Sequence, residues 1–446
     1  MQARIKPPSM EDLTQMFQAS GLKEKLLFTF LMIAVFRFCA QLPLYGINNE
    51  VFANLAAGNN IIGFLDLFSG GALGNVSIIA LGIGPYITSS IIVQLLAVVI
   101  PHLEQLQKEE GEAGRRKLSQ YTRIFTVVIA IFQSLVFLTF LTTQAPAALL
   151  IGNKAFFVFA STMILTAGSV FVMWLAELIS ERGLGNGGSL IIFCGILAGI
   201  PVYAQRTSQL VVNDSAMMFG LLVLLAIFFV TMVLIVIMQE AIRKVVIVNP
   251  RRQVGNKVYG GVDTHIPFKL NPGGVMPIIF AIAILLFPST IVAVFEQMNV
   301  ANPVLNKAIS AMAAIVNPTG VTYYVIYFLL IFALTFFYAS IMPNMQPKDI
   351  ANNLKKYGSS IPGIKPGKPT AEALEKILSR TTFIGATALS CIALIPSLAS
   401  YITNITTLQG IGATSLIIMV GVALDFINQI KTHLLARNYE SFLKNG

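Results

Sequence analysis

The sequence predicts an all-α polytopic membrane protein with about ten transmembrane helices, and three observations carry that prediction. The 446-residue chain is 55% hydrophobic and only 11% charged, with a mean hydropathy of +0.76. Apolar stretches of roughly 20 residues, the length a helix needs to cross ~30 Å of hydrocarbon, recur along the whole chain. Basic residues gather in alternate connections between those stretches. So few charges cannot cover so much apolar surface in water.

Spans are expected near 24–42, 76–100, 121–142, 155–179, 188–204, 216–239, 273–295, 321–342, 381–398 and 411–430. With a cytoplasmic amino terminus, the outward segments carry only Lys154, Arg206 and Lys307, and Arg37 lies within the first span. The rest of the 30 Lys and Arg then face the cytoplasm, which places both termini inside. Met1–Lys25 is polar and contains Arg4, Lys6, Lys23 and Lys25, so no cleavable signal peptide is expected. Cys39, Cys194 and Cys391 are scattered through apolar runs, which argues against a disulfide framework or a metal site.

Ten spans divide into five and five, with halves at 24–207 and 208–430 flanked by tails 1–23 and 431–446. An odd number per half inserts the second half upside down, which permits an inverted repeat with a pathway at its interface. Two inward loops, 240–271 and 343–380, exceed what connection requires. The first contains Arg243, Lys244, Arg251, Arg252 and Lys257; the second contains Lys348, Lys355, Lys356 and Lys365. They either enforce topology beside anionic lipid or dock a phosphate-rich or acidic partner. Their size favours docking.

The stretch "IIGFLDLFSGGALGNVSIIALGIGPYITSSIIVQLLAVVI", Ile61–Ile100, is nearly twice the length of a span. Val76–Ile100 suffices to cross, so Ile61–Gly71 is surplus. Such a segment is either an amphipathic helix on the outer surface or a re-entrant stopper buried in protein. Within the span, Ile83, Ile87, Ser90 and Gln94 share one helical face. That face suits either ordinary helix packing or an apolar constriction opening inward into a wet funnel; an amide facing lipid is expensive, and Gln94 favours the funnel.

The segments "LGIGPYITSSIIVQLL" and "WLAELISERGLGNGGSLII" resemble the most characteristic stretches of the bacterial and chloroplast SecY family, the channel subunits of the protein-export translocon. The likeness continues through "LFSGG", "EAGRRKLSQYTR", "THIPFKLNPGGVMP", "ANNLKK" and "PGIKPG", in order, over residues 20–440. It implies two inverted five-helix halves forming a clamp around an hourglass pore. The surplus segment becomes a plug at 61–75, with Leu65, Asp66, Phe68 and Ser69. The pore ring maps to Ile83, Ile87, Ile192, Ile279 and Ile418, with Ala283 one turn beyond Ile279. A lateral gate of spans 2 and 3 against 7 and 8 would carry Ile91, Gln94 and Phe287.

The resemblance also implies partners. The basic loops would dock the SecA motor or the ribosome, with signal peptides and nascent chains as cargo. Small SecE-like and SecG-like membrane subunits are expected, together with anionic lipids and accessory proteins resembling the YidC insertase and SecDF. The host would be a bacterial inner membrane or a thylakoid. Three departures stand out. Lys365 replaces a frequent Arg and loses its planar fork. Asn256-Lys257 stands where relatives often have paired arginines, which weakens the ribosome inference. Asp66 stands where some relatives have Asn, and its charge favours a wet cavity.

Gly183, Gly185 and Gly188 fit G-x-G-x-x-G, but no strand precedes them and dinucleotide binding lacks its context. Ser189 has no activating base, since His102, His265 and His433 fall in or beside inward loops. No catalytic constellation or cofactor is therefore expected, and driving energy must come from a partner. A secondary transporter is the rival class, but it needs buried ionisable groups near the midplane. Glu177 and Asp425 lie instead near cytoplasmic span ends, where they can snorkel. Arg37 is the one deep cation in the sequence pattern.

Overall fold

In a computed structural model of the chain, residues 21–49, 69–108, 111–144, 146, 149–213, 217–249, 251–254, 257–260, 264–297, 312–313, 320–341, 346–403 and 413–444 are described. Twelve helices and four strands run through them. They are α1 (Leu22–Ala40), α2 (Gly84–Val99), α3 (Pro101–Lys108), α4 (Gly111–Gln144), α5 (Lys154–Arg182), α6 (Gly187–Asn213) and α7 (Met217–Glu240). After these come β1 (Ile242–Ile247), β2 (Arg251–Val254), β3 (Lys257–Gly260) and β4 (Thr264–Lys269). The chain continues with α8 (Met276–Gln297), α9 (Val321–Ile341), α10 (Pro347–Lys356), α11 (Lys368–Thr403) and α12 (Ala413–Lys444).

Among the described residues, α4, α5, α6, α7, α9, α11 and α12 contain spans long and apolar enough to cross a membrane. Gly84–Val99 and Met276–Leu285 are apolar but shorter, and α1 carries Lys23, Glu24, Lys25 and Arg37. Together they account for the ten expected spans. Proline lies inside α6, α8 and α11 at Pro201, Pro288 and Pro396; neighbouring helices make such interruptions tolerable at membrane depth.

The chain divides into two compact units. The first comprises 1–90, 122–203 and 422–446; the second comprises 91–121 and 204–421. In the first, α1 packs on α5, and the core gathers Leu44, Ile47, Leu73, Val76, Ala80, Leu138, Leu141, Phe157 and Leu165. In the second, α11 packs against α7, α9 and α10, while α8 packs on α9.

Three expectations change. The second span begins as a helix at Gly84, not Val76; turns occupy 71–83. Gly70, Gly71 and Gly82 take positive φ, a conformation that breaks a helix, and Pro85 suits the first turn of the next one. Second, the span expected to end at 204 continues as helix to Asn213. Third, the basic loop after α7 contains regular strands. β1 pairs antiparallel with β4, and β2 with β3, so paired strands stand among the helices of the described residues.

Candidate functional site

Residues 72–83 link the candidate plug to α2, and they are anchored although they form no regular element. Ala72, Val76, Ile79 and Ile83 are almost wholly buried. The Leu44 amide donates to the Val76 carbonyl at 2.8 Å, the Ile78 amide to Leu42 at 3.0 Å, and the Ser77 amide to Ala72 at 2.8 Å. The Leu73 amide donates to Ser69 Oγ at 2.9 Å. Non-helical backbone within an apolar segment requires such partners, since lipid offers none. Of the expected plug residues, Leu65, Asp66 and Phe68 lie outside the described residues; Ser69 is buried and belongs to this anchored root.

Ile83 precedes the first helical residue of α2, yet its carbonyl accepts the Ile87 amide at 3.1 Å. The helical spacing that links Ile83 to Ile87 therefore survives the later helix start. A Cβ built on Gly188 would stand 3.5 Å from Ile83 Cδ1, which sets Ile83 beside α6 one turn before Ile192. These three isoleucines belong to the first unit. Ile83 and Ile192 are buried and Ile87 is half-buried.

Ile279 and Ile418 belong to the second unit and are also buried. They stand near the starts of α8 and α12. Gly421 has no room for a side chain, because Val275 occupies the space, so the two helices approach closely there. Ile279 lies one turn after Val275, and Ile418 one turn before Gly421. Of the expected gate residues, Ile91 is buried and Gln94 half-buried on α2; the Phe287 side chain lies outside the described residues.

The turn around Asn186 has a structural explanation. Asn186 Oδ1 accepts the Ser189 amide at 3.2 Å, and Ser180 Oγ accepts the Gly187 amide at 2.9 Å. Asn186 thus caps α6 by satisfying an orphan amide, and Ser189 stands in the first turn of that helix. Glu177 does not merely snorkel. Arg123 Nε donates to its Oε1 at 3.0 Å, and Arg123 Nη2 stands 3.0 Å from Oε2. This two-point pairing joins α4 to α5.

The two large basic loops turn out to be one folded module, which the sequence reading missed. Val245, Phe268, Ile361 and Leu374 share a core, flanked by Ile266, Ile350, Leu354, Ile364, Ile377 and Leu378. Val248 and Ser360 exchange backbone hydrogen bonds of 2.9 and 3.1 Å, and Ser359 Oγ donates to Asn249 Oδ1 at 2.8 Å. The signals were present: Val245 and Ile247 alternate as a half-buried strand does, and Ile350 and Leu354 share a helical face. Arg243, Lys244, Lys348, Lys355, Lys356 and Lys365 are all exposed. For Arg251, Arg252 and Lys257 the strand positions alone are described. In α10, Asp349 sits in the first turn and Lys355 and Lys356 in the last, matching the helix dipole at both ends.

The long apolar helices define a polytopic membrane protein. Its fold matches a structure described as "The plug domain of the SecY protein stablizes the closed state of the translocation channel and maintains a membrane seal". The TM-score is 0.66 at 17% identity, over 92% of each chain. A second match is canine Sec61 in a ribosome-channel complex, at TM-score 0.61 and 15% identity, over 92% of each chain. The SecY family profile matches residues 77–427. A relative from Synechocystis sp., the protein translocase subunit SecY, is 44% identical over 439 residues, covering 98% of both chains. The chain belongs to the SecY family.

Proposed function

We propose that this chain is a protein-conducting channel that passes unfolded polypeptides across a membrane and releases apolar segments sideways into lipid. The observation that carries the reading is its near-full-length identity to a protein translocase subunit SecY. It is a channel and not an enzyme, so a partner supplies the energy. The Ile83, Ile87, Ile192, Ile279 and Ile418 side chains are read as the pore ring. An ion crossing such a ring must shed water, which is costly, whereas an unfolded chain meets a non-sticky collar. Residues 61–75 are read as the plug, its last residues from Ser69 on forming the anchored root, and Ile91, Gln94 and Phe287 as part of the lateral gate.

The cytoplasmic module is read as a composite docking surface for the ribosome or a SecA-like motor, with both basic loops contributing. SecE-like and SecG-like subunits complete the channel. The membrane is a bacterial inner membrane or a thylakoid, with both termini cytoplasmic. Single cysteines replacing Thr319 and Asn404, in a background without the native thiols, should react with an impermeant reagent from outside. One at Gly358 should react only after the membrane is opened, and labelling of Gly358 in intact cells would overturn the orientation.

Ile87→Asn and Ile418→Asn test the ring. Each should let water wet the constriction, raise single-channel current across a planar bilayer, and permit export of a reporter with a defective signal sequence. Less of the opening energy then has to come from the signal. If both variants keep wild-type current and stringency, these isoleucines are packing residues and the gate lies elsewhere.

A further inference from the structure

We infer that Arg37 is a positioning residue for gating: its guanidinium fixes the Gly70 junction, where the candidate plug joins its anchored root. The inference rests on the reading of 61–75 as a plug and adds what holds that plug at rest. Arg37 stands in the last turn of α1 and is half-buried. A cation inside a span is costly unless a partner receives it. Its Nη1 donates to the Gly70 carbonyl, a charge-assisted and therefore directional bond.

Gly70 is confined from two sides. It takes φ +72°, and a Cβ built there would lie 2.9 Å from Gly195 Cα on α6 and 3.3 Å from Arg37 Nη1. The junction is thus seated between α1 and α6 with no space to spare. α1 is itself tied down at its other end. Thr29 Oγ1 donates to the Lys25 carbonyl at 2.8 Å and accepts the Leu184 amide at 3.0 Å, joining α1 to the turn between α5 and α6. Beyond the junction, the Leu44–Val76 and Leu42–Ile78 bonds hold the root.

Arg37 therefore connects a fixed strut to the one point between a fixed root and the candidate plug. Any opening motion that displaces Gly70 must break this bond, so the bond favours the resting state over the open one.

The test uses the full chain with its co-purifying membrane subunits in a planar bilayer, read as resting conductance and as export of a signal-defective reporter. Arg37→Met keeps an apolar stem and loses the donor; it should raise resting conductance about tenfold, the order expected for a lost hydrogen bond to a charged group. Arg37→Lys, which keeps the charge without the fork, should fall between the two and serves where Arg37→Met does not accumulate. Gly70→Ala should reproduce the effect through the clash at Gly195. Gly71→Ala, also at positive φ but with nothing within 4 Å of its built Cβ, should do less.

Removing residues 61–68 should raise conductance, and adding Arg37→Met to that deletion should raise it no further. If the deletion raises conductance while Arg37→Met and Gly70→Ala stay at the wild-type level, Arg37 merely anchors α1 and the inference fails. If the deletion also leaves conductance unchanged, the plug reading itself falls.

Discussion

Two apolar clusters of this protein are built from the same side chains in different solvents. Leu165 lies in the core of the first unit, within the span of α5, and is fully buried. Leu374 lies in the core of the module built from the two basic loops, near the start of α11, and is equally buried. In the module, burial removes leucine from water and contributes the full transfer energy. Inside the membrane, the alternative to packing is lipid, as apolar as the core, and only close packing and backbone pairing favour association. The same contrast governs irregular backbone. Residues 71–83 depend on individual bonds to Leu42 and Leu44, whereas the segment after α7 makes its own strands.

The largest expected effect separates these two solvents. Leu374→Ala should destabilise the module by about 2–5 kcal/mol, the range for a buried leucine in water. Leu165→Ala should cost less, because it loses packing contacts and almost none of the transfer energy. Hydrogen exchange across 242–269 and 346–378 reads the first, and unfolding of detergent-solubilised protein reads the second. Equal losses at both sites would break the comparison.

A smaller effect on stability, with a larger one on binding, is expected at the rim of the module. Reversing Lys355, Lys356 and Lys365 to Glu should leave the module folded, since exposed charges contribute only ~0–1 kcal/mol to stability. Motor or ribosome affinity should fall, and the wild-type affinity should be the more salt-sensitive of the two. Unchanged affinity would reduce these lysines to topology signals. Comparison with Leu374→Ala sharpens the point: that variant should weaken docking by unfolding the surface, the charge reversal without unfolding it.

The residues that reveal the architecture do so locally. Apolar length marks the spans, and the 4-3-4 spacing of Ile83, Ile87, Ser90 and Gln94 marks one face without any neighbour being known. Family likeness extended this to Ile192, Ile279 and Ile418, which no spacing rule connects. The helix start at Gly84 was misplaced because hydropathy is blind to φ. Residues 76–83 are apolar enough to pass for helix, and hydropathy does not register the positive φ of Gly82 within them.

What the sequence determined by itself is what depends on the medium: the class, the number of spans and the gathering of basic residues in alternate connections. Transfer between water and lipid acts on each segment separately, so a linear string suffices to read it. Tertiary structure decided what depends on two distant segments meeting. It paired Arg37 with Gly70 across 33 positions and Arg123 with Glu177 across 54, and joined Asn249 to Ser359 across 110. A hydrogen bond acts over about 3 Å, and nothing in the order of residues states which carbonyl or carboxylate will lie within that reach.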